Sequence, residues 1–179
     1  SEAEKIERES RDLNRRIREV VERASEDNER LIREIRKRLE EVVRTIEKLI
    51  RDILERVRKN PEKKEEVKKL IDDIRREIDR IKKELEELVR EADKRLEEVL
   101  ERLERLLEED KRRIDEARRA GVDEEIIKEL KKITDKTRRE LERLIDENRK
   151  RNEELLKRVE DIIRELKRRL EKLDEEVKR

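Results

Sequence analysis

Serine hydroxyls and acidic carboxylates are the side chains of this sequence whose types could do chemistry. Ser10 and Ser25 are the candidate nucleophiles, with an Asp as partner. A serine needs an adjacent base to become nucleophilic, and the sequence has no His and no Gly-rich loop that could form an oxyanion hole. The sequence therefore predicts no catalytic residues and no enzyme.

Neighbouring carboxylates such as Glu108 and Glu109 have the oxygen atoms that hard cations prefer. In a chain with 62% charged residues, however, such pairs are typical of solvated helix faces. The sequence has no Cys and no His, which removes disulfides and the ligands of soft metals. We expect no metal and no cofactor.

The balance of charge also limits the classes of partner. The formal net charge is +1 at pH 7, so there is no field of one sign to attract nucleic acid or an anionic membrane. Aromatic residues are absent, which removes base stacking and interfacial anchoring. No apolar run approaches the roughly 18 residues of a membrane span, and the stretch SEAEKIERES has no signal-peptide core. We interpret the chain as soluble and of the intracellular type, cytoplasmic if expressed in a host.

The elements that would position these side chains can be read from the aliphatic residues. Low hydrophobicity could indicate disorder, because little apolar surface is then available to offset chain entropy. From Ile6 to Val57, however, the aliphatic residues recur at steps of three and four, which is typical of an amphipathic helix. The same spacing continues through the rest of the chain, so the sequence predicts long helices.

Helix-breaking signals occur at two places only. Asn60 is a candidate N-cap and Pro61 suits the first turn of a helix. Gly121 suits the left-handed residue that ends a helix, and Asp123 suits the next N-cap. Ser1, with Glu4 three residues later, fits a capping box at the start of the first helix.

These signals predict helices at about 1–59, 61–120 and 123–178, with loops around 60–61 and 120–123. Short connections force neighbouring helices to run antiparallel, so we expect residues 1–179 to form a single up-down-up, all-α three-helix bundle. Each helix would be roughly 85 Å long at 1.5 Å per residue, which gives an elongated molecule.

Aliphatic positions within each helix recur at every eleventh residue, as in the set Ile133, Leu144, Leu155, Leu166 and Val177. Eleven residues over three turns predict a nearly straight or weakly right-handed superhelix. Eleven-residue repeats also occur in lipid-surface helices, so an amphipathic lipid-surface protein remains a remote alternative. Bulky Leu, Ile and Val on a wide stripe favour the bundle.

Several polar residues stand where the aliphatic pattern expects Leu or Ile. Pairing the helices about their turns places a third-helix residue beside the first-helix residue numbered about 120 lower, so Asn148 falls level with Asn28. Ala24 and Ala92 would leave room for side-chain amides at that height. The sequence predicts a structural buried polar layer of Ser25, Asn28, Asn148, Asn152 and Asp93.

A second possible polar layer lies nearer the start of the chain. It contains Ser10, Asn14, Asp110, Lys111, Thr134 and Thr137. Whether either layer is satisfied from within the bundle or holds water stays open at this point.

The residues resemble a known class, the de novo designed long three-helix bundles with buried hydrogen-bond networks. The resemblance covers the whole chain. It rests on the idealised loops KNPEK and AGVDEE, the Glu, Lys and Arg surface, the aliphatic core without Met or aromatic residues, and the Ser, Asn and Thr layers. It implies that there is no evolved substrate, cofactor or native compartment.

Two functions remain open. One is a monomeric, hyperstable structural scaffold that requires no partner and whose polar layers fix helix register. The alternative is a designed interaction module that self-associates, pairs with another chain, or accepts a partner helix as a switch. Three long helices can close their own core, which favours the monomer, although a helical-bundle oligomer is possible.

Overall fold

Three long α-helices form the chain. The structure, a computed structural model, describes residues 1–179, with α1 at Glu2–Lys59, α2 at Lys64–Arg119 and α3 at Glu124–Lys178. A short 3-10 helix, Pro61–Lys63, precedes α2, and there are no strands. The all-α, three-helix fold that the sequence predicts is confirmed. None of the helices is both long and apolar enough to cross a membrane.

The start of α1 is capped from its own sequence. The backbone N–H of Glu4 donates to Oγ of Ser1 at 3.4 Å. Glu2 and Glu4 lie in the first turn, where carboxylates interact favourably with the positive end of the helix dipole.

The connection between α1 and α2 differs from the sequence prediction. The side chain of Asn60 makes no capping hydrogen bond. Instead its backbone carbonyl accepts from the N–H of Lys63 at 3.1 Å, which closes the 3-10 turn that starts at Pro61. The α-helix therefore begins at Lys64, because the first turn after proline is wound more tightly than an α-helix.

The connection between α2 and α3 is a Schellman motif. Gly121 has a φ of 86°, the left-handed conformation that glycine adopts without steric cost. The N–H of Gly121 donates to the carbonyl of Arg118 at 3.2 Å, and the N–H of Val122 donates to that of Ala117 at 3.1 Å. These two bonds are the pair that defines the motif. The backbone carbonyl of Asp123 then accepts from the N–H groups of residues 126 and 127.

The helices form two compact units. Unit 1 comprises Ser1–Arg30 and Ala92–Arg151, and unit 2 comprises Leu31–Glu91 and Asn152–Arg179. Each unit contains one segment of each helix.

In unit 1, α1 runs antiparallel to α2 and parallel to α3. Ser10 contacts Asp110 on α2, and Asn14 contacts Thr134 on α3, 120 residues later in the sequence. In unit 2, Arg38 pairs with Glu84 on α2, and the pair between Glu47 and Arg169 on α3 spans 122 residues. These separations agree with the offset of about 120 that the turns predict.

The core of unit 2 is one aliphatic cluster. Its buried residues are Ile32, Ile35, Leu39, Ile46, Ile53, Val67, Ile71, Ile74, Ile78, Leu85, Val89, Leu155, Val159, Ile163, Leu166, Leu170, Leu173 and Val177. Unit 1 instead has two smaller aliphatic clusters. On all three helices, buried polar residues occupy the sequence positions between those two clusters. The candidate site therefore lies in unit 1.

Candidate functional site

Nine polar side chains are buried in the chain: Ser10, Asn14, Ser25, Asn28, Asp110, Thr134, Thr137, Asn148 and Asn152. All except Asn152 belong to unit 1. Hydrogen bonds join seven of the eight buried polar residues of unit 1 into two groups. We call Ser25, Asn28 and Asn148 the Asn layer, and Ser10, Asn14, Asp110 and Thr134 the Asp layer.

Asn148 is the centre of the Asn layer. Its Oδ1 accepts from Nδ2 of Asn28 at 3.1 Å, and its Nδ2 donates to Oγ of Ser25 at 2.8 Å. The same Nδ2 donates to the backbone carbonyl of Leu144 at 2.8 Å. Asn148 is only 1% exposed, so these contacts replace the water that its amide would otherwise bind.

The other two residues predicted for this layer differ in burial. Asn152 is buried, with 2% of its surface exposed, and belongs to unit 2, so its place in the layer stays a prediction. Asp93 is corrected from a buried position to a half-exposed one, where it pairs with Nε of Arg149 at 3.6 Å. Asp93 follows the buried Ala92 by one residue, which turns it about 100° away from the core on a helix with 3.6 residues per turn. An exposed ion pair also avoids the cost of desolvating a carboxylate.

Asp110 is the centre of the Asp layer and is completely buried. Its Oδ1 accepts from Oγ of Ser10 at 2.6 Å. Its Oδ2 accepts from Oγ1 of Thr134 and from Nδ2 of Asn14, the latter at 3.3 Å. Three neutral donors from α1 and α3 thus converge on one α2 carboxylate, and such donors compensate a buried carboxylate for part of its lost hydration.

The donors of the Asp layer are also held by their own helices. Nδ2 of Asn14 donates to the backbone carbonyl of Ser10 at 2.9 Å, and the backbone carbonyl of Leu130, 3.0 Å from Oγ1 of Thr134, shares the single hydroxyl proton of Thr134 with Asp110. Asn14 Nδ2 lies 3.4 Å from Thr134 Oγ1 as well. Oδ1 of Asn14 has no hydrogen-bond partner, so the layer is not completely satisfied.

Two residues predicted for this second layer are not part of its hydrogen bonds. Thr137 is buried but lies outside the network described above. Lys111 is exposed, which corrects its predicted place in the layer. It follows Asp110 by one residue, so its side chain leaves the core when that of Asp110 enters it.

An ion-pair cluster that the sequence analysis missed borders the Asp layer. Arg113 on α2 pairs with Glu9 on α1 and with Glu109 on its own helix, the latter at 3.3 Å. Nε of Arg113 is buried without a partner. The sequence signal was the position of Arg113 one turn after Asp110, on the edge of the same helix face.

Ion pairs also link α1 to α3 at a constant sequence offset. In unit 1, Arg18 contacts Glu140 at 2.9 Å and Glu29 contacts Arg151 at 2.6 Å, both across 122 residues. The pair Glu47 and Arg169 in unit 2 has the same offset and a distance of 2.7 Å. The hydrogen bond from Arg18 lowers the pKa of the exposed Glu140 carboxyl below its ordinary value. Opposite charges 122 residues apart were the signal that could have predicted these pairs.

The serines do not form a catalytic arrangement. Ser10 does contact a carboxylate, as a nucleophile with an acidic partner would, but Ser10 is 1% exposed and Asp110 is fully buried. A substrate has no path to that hydroxyl without opening the helices. Ser25 accepts from an amide and has no base beside it in the Asn layer. The arrangement is suited to holding helices in place.

Comparisons with known proteins give a structural likeness. No family model matches the chain, and no curated protein matches it. The chain is similar to a solved structure described as a computationally designed three helix bundle, with a TM-score of 0.49 and 20% identity over 98% of this chain and 90% of that chain. Three long helices and buried hydrogen-bond networks, which the resemblance of the sequence to designed bundles implies, are both present here.

Proposed function

We propose that the chain is a designed structural scaffold without a natural biochemical activity, in which the buried polar layers fix helix register. The observation that carries this proposal is the Asn layer, where Asn148 of α3 is bonded to Asn28 and Ser25 of α1. Buried amides are directional, so they distinguish one alignment of the helices from all others. Aliphatic side chains distinguish alignments far less, because the hydrophobic effect has no direction.

The energies of the polar layers favour a role in specificity over one in stability. A satisfied buried hydrogen bond contributes only about 0.5–1.5 kcal/mol net, whereas a buried group left without a partner costs roughly 1–3 kcal/mol. A slip by one eleven-residue repeat, about 16 Å, would keep Leu and Ile opposite Leu and Ile. The same slip would leave the Asn and Asp layers facing aliphatic side chains, so the layers select the native register. Single buried Asn residues have this role in coiled coils.

The designed origin is supported by the residues themselves. The Schellman motif at Gly121, the Asn60–Pro61 connection and the Ser1 cap are the minimal signals that three helices need. The core has no Met and no aromatic residue, and the surface is almost entirely Glu, Lys, Arg and Asp. Such uniform agreement between local signals and fold is the aim of idealised design.

A monomer is the form that the surface supports best. No large hydrophobic side chain is exposed, so the chain presents no obvious apolar face to a second copy or to another helix. Light scattering coupled to size-exclusion chromatography measures the molar mass directly. The proposal predicts 22.2 kDa, the mass of one chain. A mass of twice that value or more would support the interaction module instead.

The register role has its own experiment. We expect the variant Asn28→Leu, Asn148→Leu, Asn152→Leu to keep or raise the thermal midpoint and to show more than one set of backbone amide resonances. The matched control is Glu26→Leu, Asp146→Leu, Glu154→Leu, which adds the same residue at three exposed positions of α1 and α3. If the triple Asn variant lost stability and kept a single set of resonances, the layers would serve stability and the proposal would be wrong.

A further inference from the structure

A groove lies between α1 and α3 in unit 2. Its volume is about 400 Å³, and its floor is formed by Leu39 and Val43 of α1 and by Ile162 and Leu166 of α3. Leu39 and Leu166 are buried, whereas Val43 and Ile162 are partly exposed at the groove surface. The volume lies within the range of roughly 300–1,000 Å³ that is usual for small-molecule sites. The floor is purely aliphatic, because the chain has no aromatic residue.

The rim of the groove carries positive charge that is not neutralised within the chain. Of its acidic residues, Glu47 and Glu165 are both engaged by Arg169, at 2.7 Å and 3.6 Å.

Three other rim arginines, Arg36, Arg44 and Arg158, are exposed and form no ion pair in the structure. Glu40 is the one acidic rim residue without an ion pair. The rim therefore carries four arginines against three glutamates, a net charge of +1 around an apolar floor, and three of those arginines have no ion-pair partner.

We propose that this groove binds an amphiphilic anion with a single alkyl chain, such as a medium-chain fatty carboxylate. The alkyl chain lies along Leu39, Val43 and Ile162, in the channel that two neighbouring parallel helices leave between them. The carboxylate is bound at the rim, since guanidinium groups match the planar, two-oxygen geometry of a carboxylate. This binding is independent of the scaffold role, because the groove belongs to unit 2 and the Asn and Asp layers belong to unit 1.

The apolar floor predicts that affinity depends on the length of the alkyl chain, and the arginine rim predicts that it depends on the charge of the ligand. Each methylene removed from a buried alkyl chain lowers affinity by about fourfold. Octanoate, two methylenes shorter than decanoate, is therefore expected to bind about fifteenfold more weakly. Decyltrimethylammonium has an alkyl chain one carbon longer and the opposite charge, so the unpaired arginines repel it.

The experiment is a calorimetric titration of the full chain with decanoate below its micellar concentration, with octanoate and decyltrimethylammonium titrated in parallel. The expected result is saturable binding of one decanoate per chain, about fifteenfold weaker octanoate binding and no saturable binding of the cation. Shifts of the Val43 and Ile162 methyl resonances on addition of decanoate would place the ligand in the groove. No saturable heat with decanoate, or equal binding of the cation, would overturn the proposal.

Two double variants distinguish binding of decanoate in the groove from a general attraction of decanoate to surface arginines. Arg44→Gln with Arg158→Gln removes two rim charges and is expected to weaken decanoate binding at least tenfold. Arg33→Gln with Arg58→Gln removes the same charge from exposed α1 positions outside the groove and is expected to leave affinity unchanged. Circular dichroism checks that both variants keep their helix content. Equal loss of affinity in the two variants would contradict the assigned site.

Val43→Phe tests the floor without changing charge. The larger side chain fills the space between α1 and α3 and is expected to abolish saturable binding of decanoate. Retention of wild-type affinity in this variant would show that the alkyl chain lies elsewhere and would overturn the proposal.

Discussion

Nδ2 of Asn28 donates a hydrogen bond to Oδ1 of Asn148 at 3.1 Å, across 120 residues of sequence. Both side chains are buried, and they come from helices that no single turn connects. Because α1 and α3 run parallel in unit 1, their relative height is set indirectly, through two connections and α2. A directional bond between them supplies a constraint that the turns alone do not.

Replacing Asn148 alone is expected to destabilise the protein. Asn148→Leu removes the acceptor of the bond from Asn28 and the donor to Ser25, and one buried group left without a partner costs roughly 1–3 kcal/mol. The free energy of unfolding in guanidinium measures the loss. Adding Asn28→Leu and Ser25→Ala to the same chain should recover most of it, because the two side chains that lost their bonds to Asn148 are then replaced by apolar ones. A neutral effect of Asn148→Leu alone would contradict the account of the layer.

Asp110 is expected to matter more than the acidic residue beside it. Asp110→Ala removes the acceptor of bonds from Ser10, Asn14 and Thr134, and we expect a loss of about 1–3 kcal/mol in unfolding free energy. Glu109→Ala is the matched control, because Glu109 makes a surface pair with Arg113 and such pairs contribute about 0–1 kcal/mol. Equal losses in the two variants would mean that the three donors do not depend on Asp110.

Gly121 offers a test of the connection between α2 and α3. Its φ of 86° is unfavourable for other residues, although a Cβ at this position would meet no atom within 4 Å. Gly121→Ala is therefore expected to cost about 1–2 kcal/mol from the backbone alone. Gly121→Asn is expected to cost less, since Asn tolerates the left-handed conformation. Thermal denaturation of the two variants would rank them, and a more stable Ala variant would contradict the assigned conformation.

The pair between Arg18 and Glu140 predicts a dependence on pH with a definite sign. The hydrogen bond from Arg18, with the charges of Arg18 and Lys136, lowers the pKa of Glu140 from its ordinary value of 4.5 in the folded chain. A carboxyl with a lowered folded pKa contributes stability above the unfolded pKa and loses it as pH falls through the folded pKa. The thermal midpoint of wild type should exceed that of Glu140→Gln slightly at pH 7, and the gap should close toward pH 3.

The effect at Glu140 should also decrease at 1 M salt, because the pair is exposed and salt screens it. A gap that widened as pH fell would reverse the sign that the Arg18 contact requires.

The fold could be predicted from sequence because its signals are local. Helical spacing of aliphatic residues, Pro61 and Gly121 predict the three helices and the α1–α3 offset near 120, which in turn predicts the contact between Asn28 and Asn148. The errors occur where one residue step decides burial. Asp93 follows the buried Ala92, and Lys111 follows the buried Asp110. Matching residues by their position along the helix axis does not distinguish a buried residue from the exposed residue next to it in sequence.

The individual polar contacts could not be predicted from the sequence, for a different reason. The convergence of Ser10, Asn14 and Thr134 on Asp110 depends on side-chain rotamers, which sequence spacing does not specify. The missing side-chain cap at Asn60 depends on the 3-10 winding of the turn that follows it. The first feature depends on side-chain geometry and the second on backbone geometry, and only the folded chain defines either.

The central claim is that the buried polar residues fix the register of α1 against α3, and a distance between spin labels tests it most directly. Arg23 and Arg143 are exposed residues of unit 1, and the chain has no cysteine, so Arg23→Cys with Arg143→Cys gives two unique labelling sites. We predict one narrow distance distribution in this background. Adding Asn28→Leu, Asn148→Leu and Asn152→Leu should produce a second, longer component from helices displaced by about 16 Å, one eleven-residue repeat. A single narrow distribution at the unchanged distance in the Leu variant would contradict the claim.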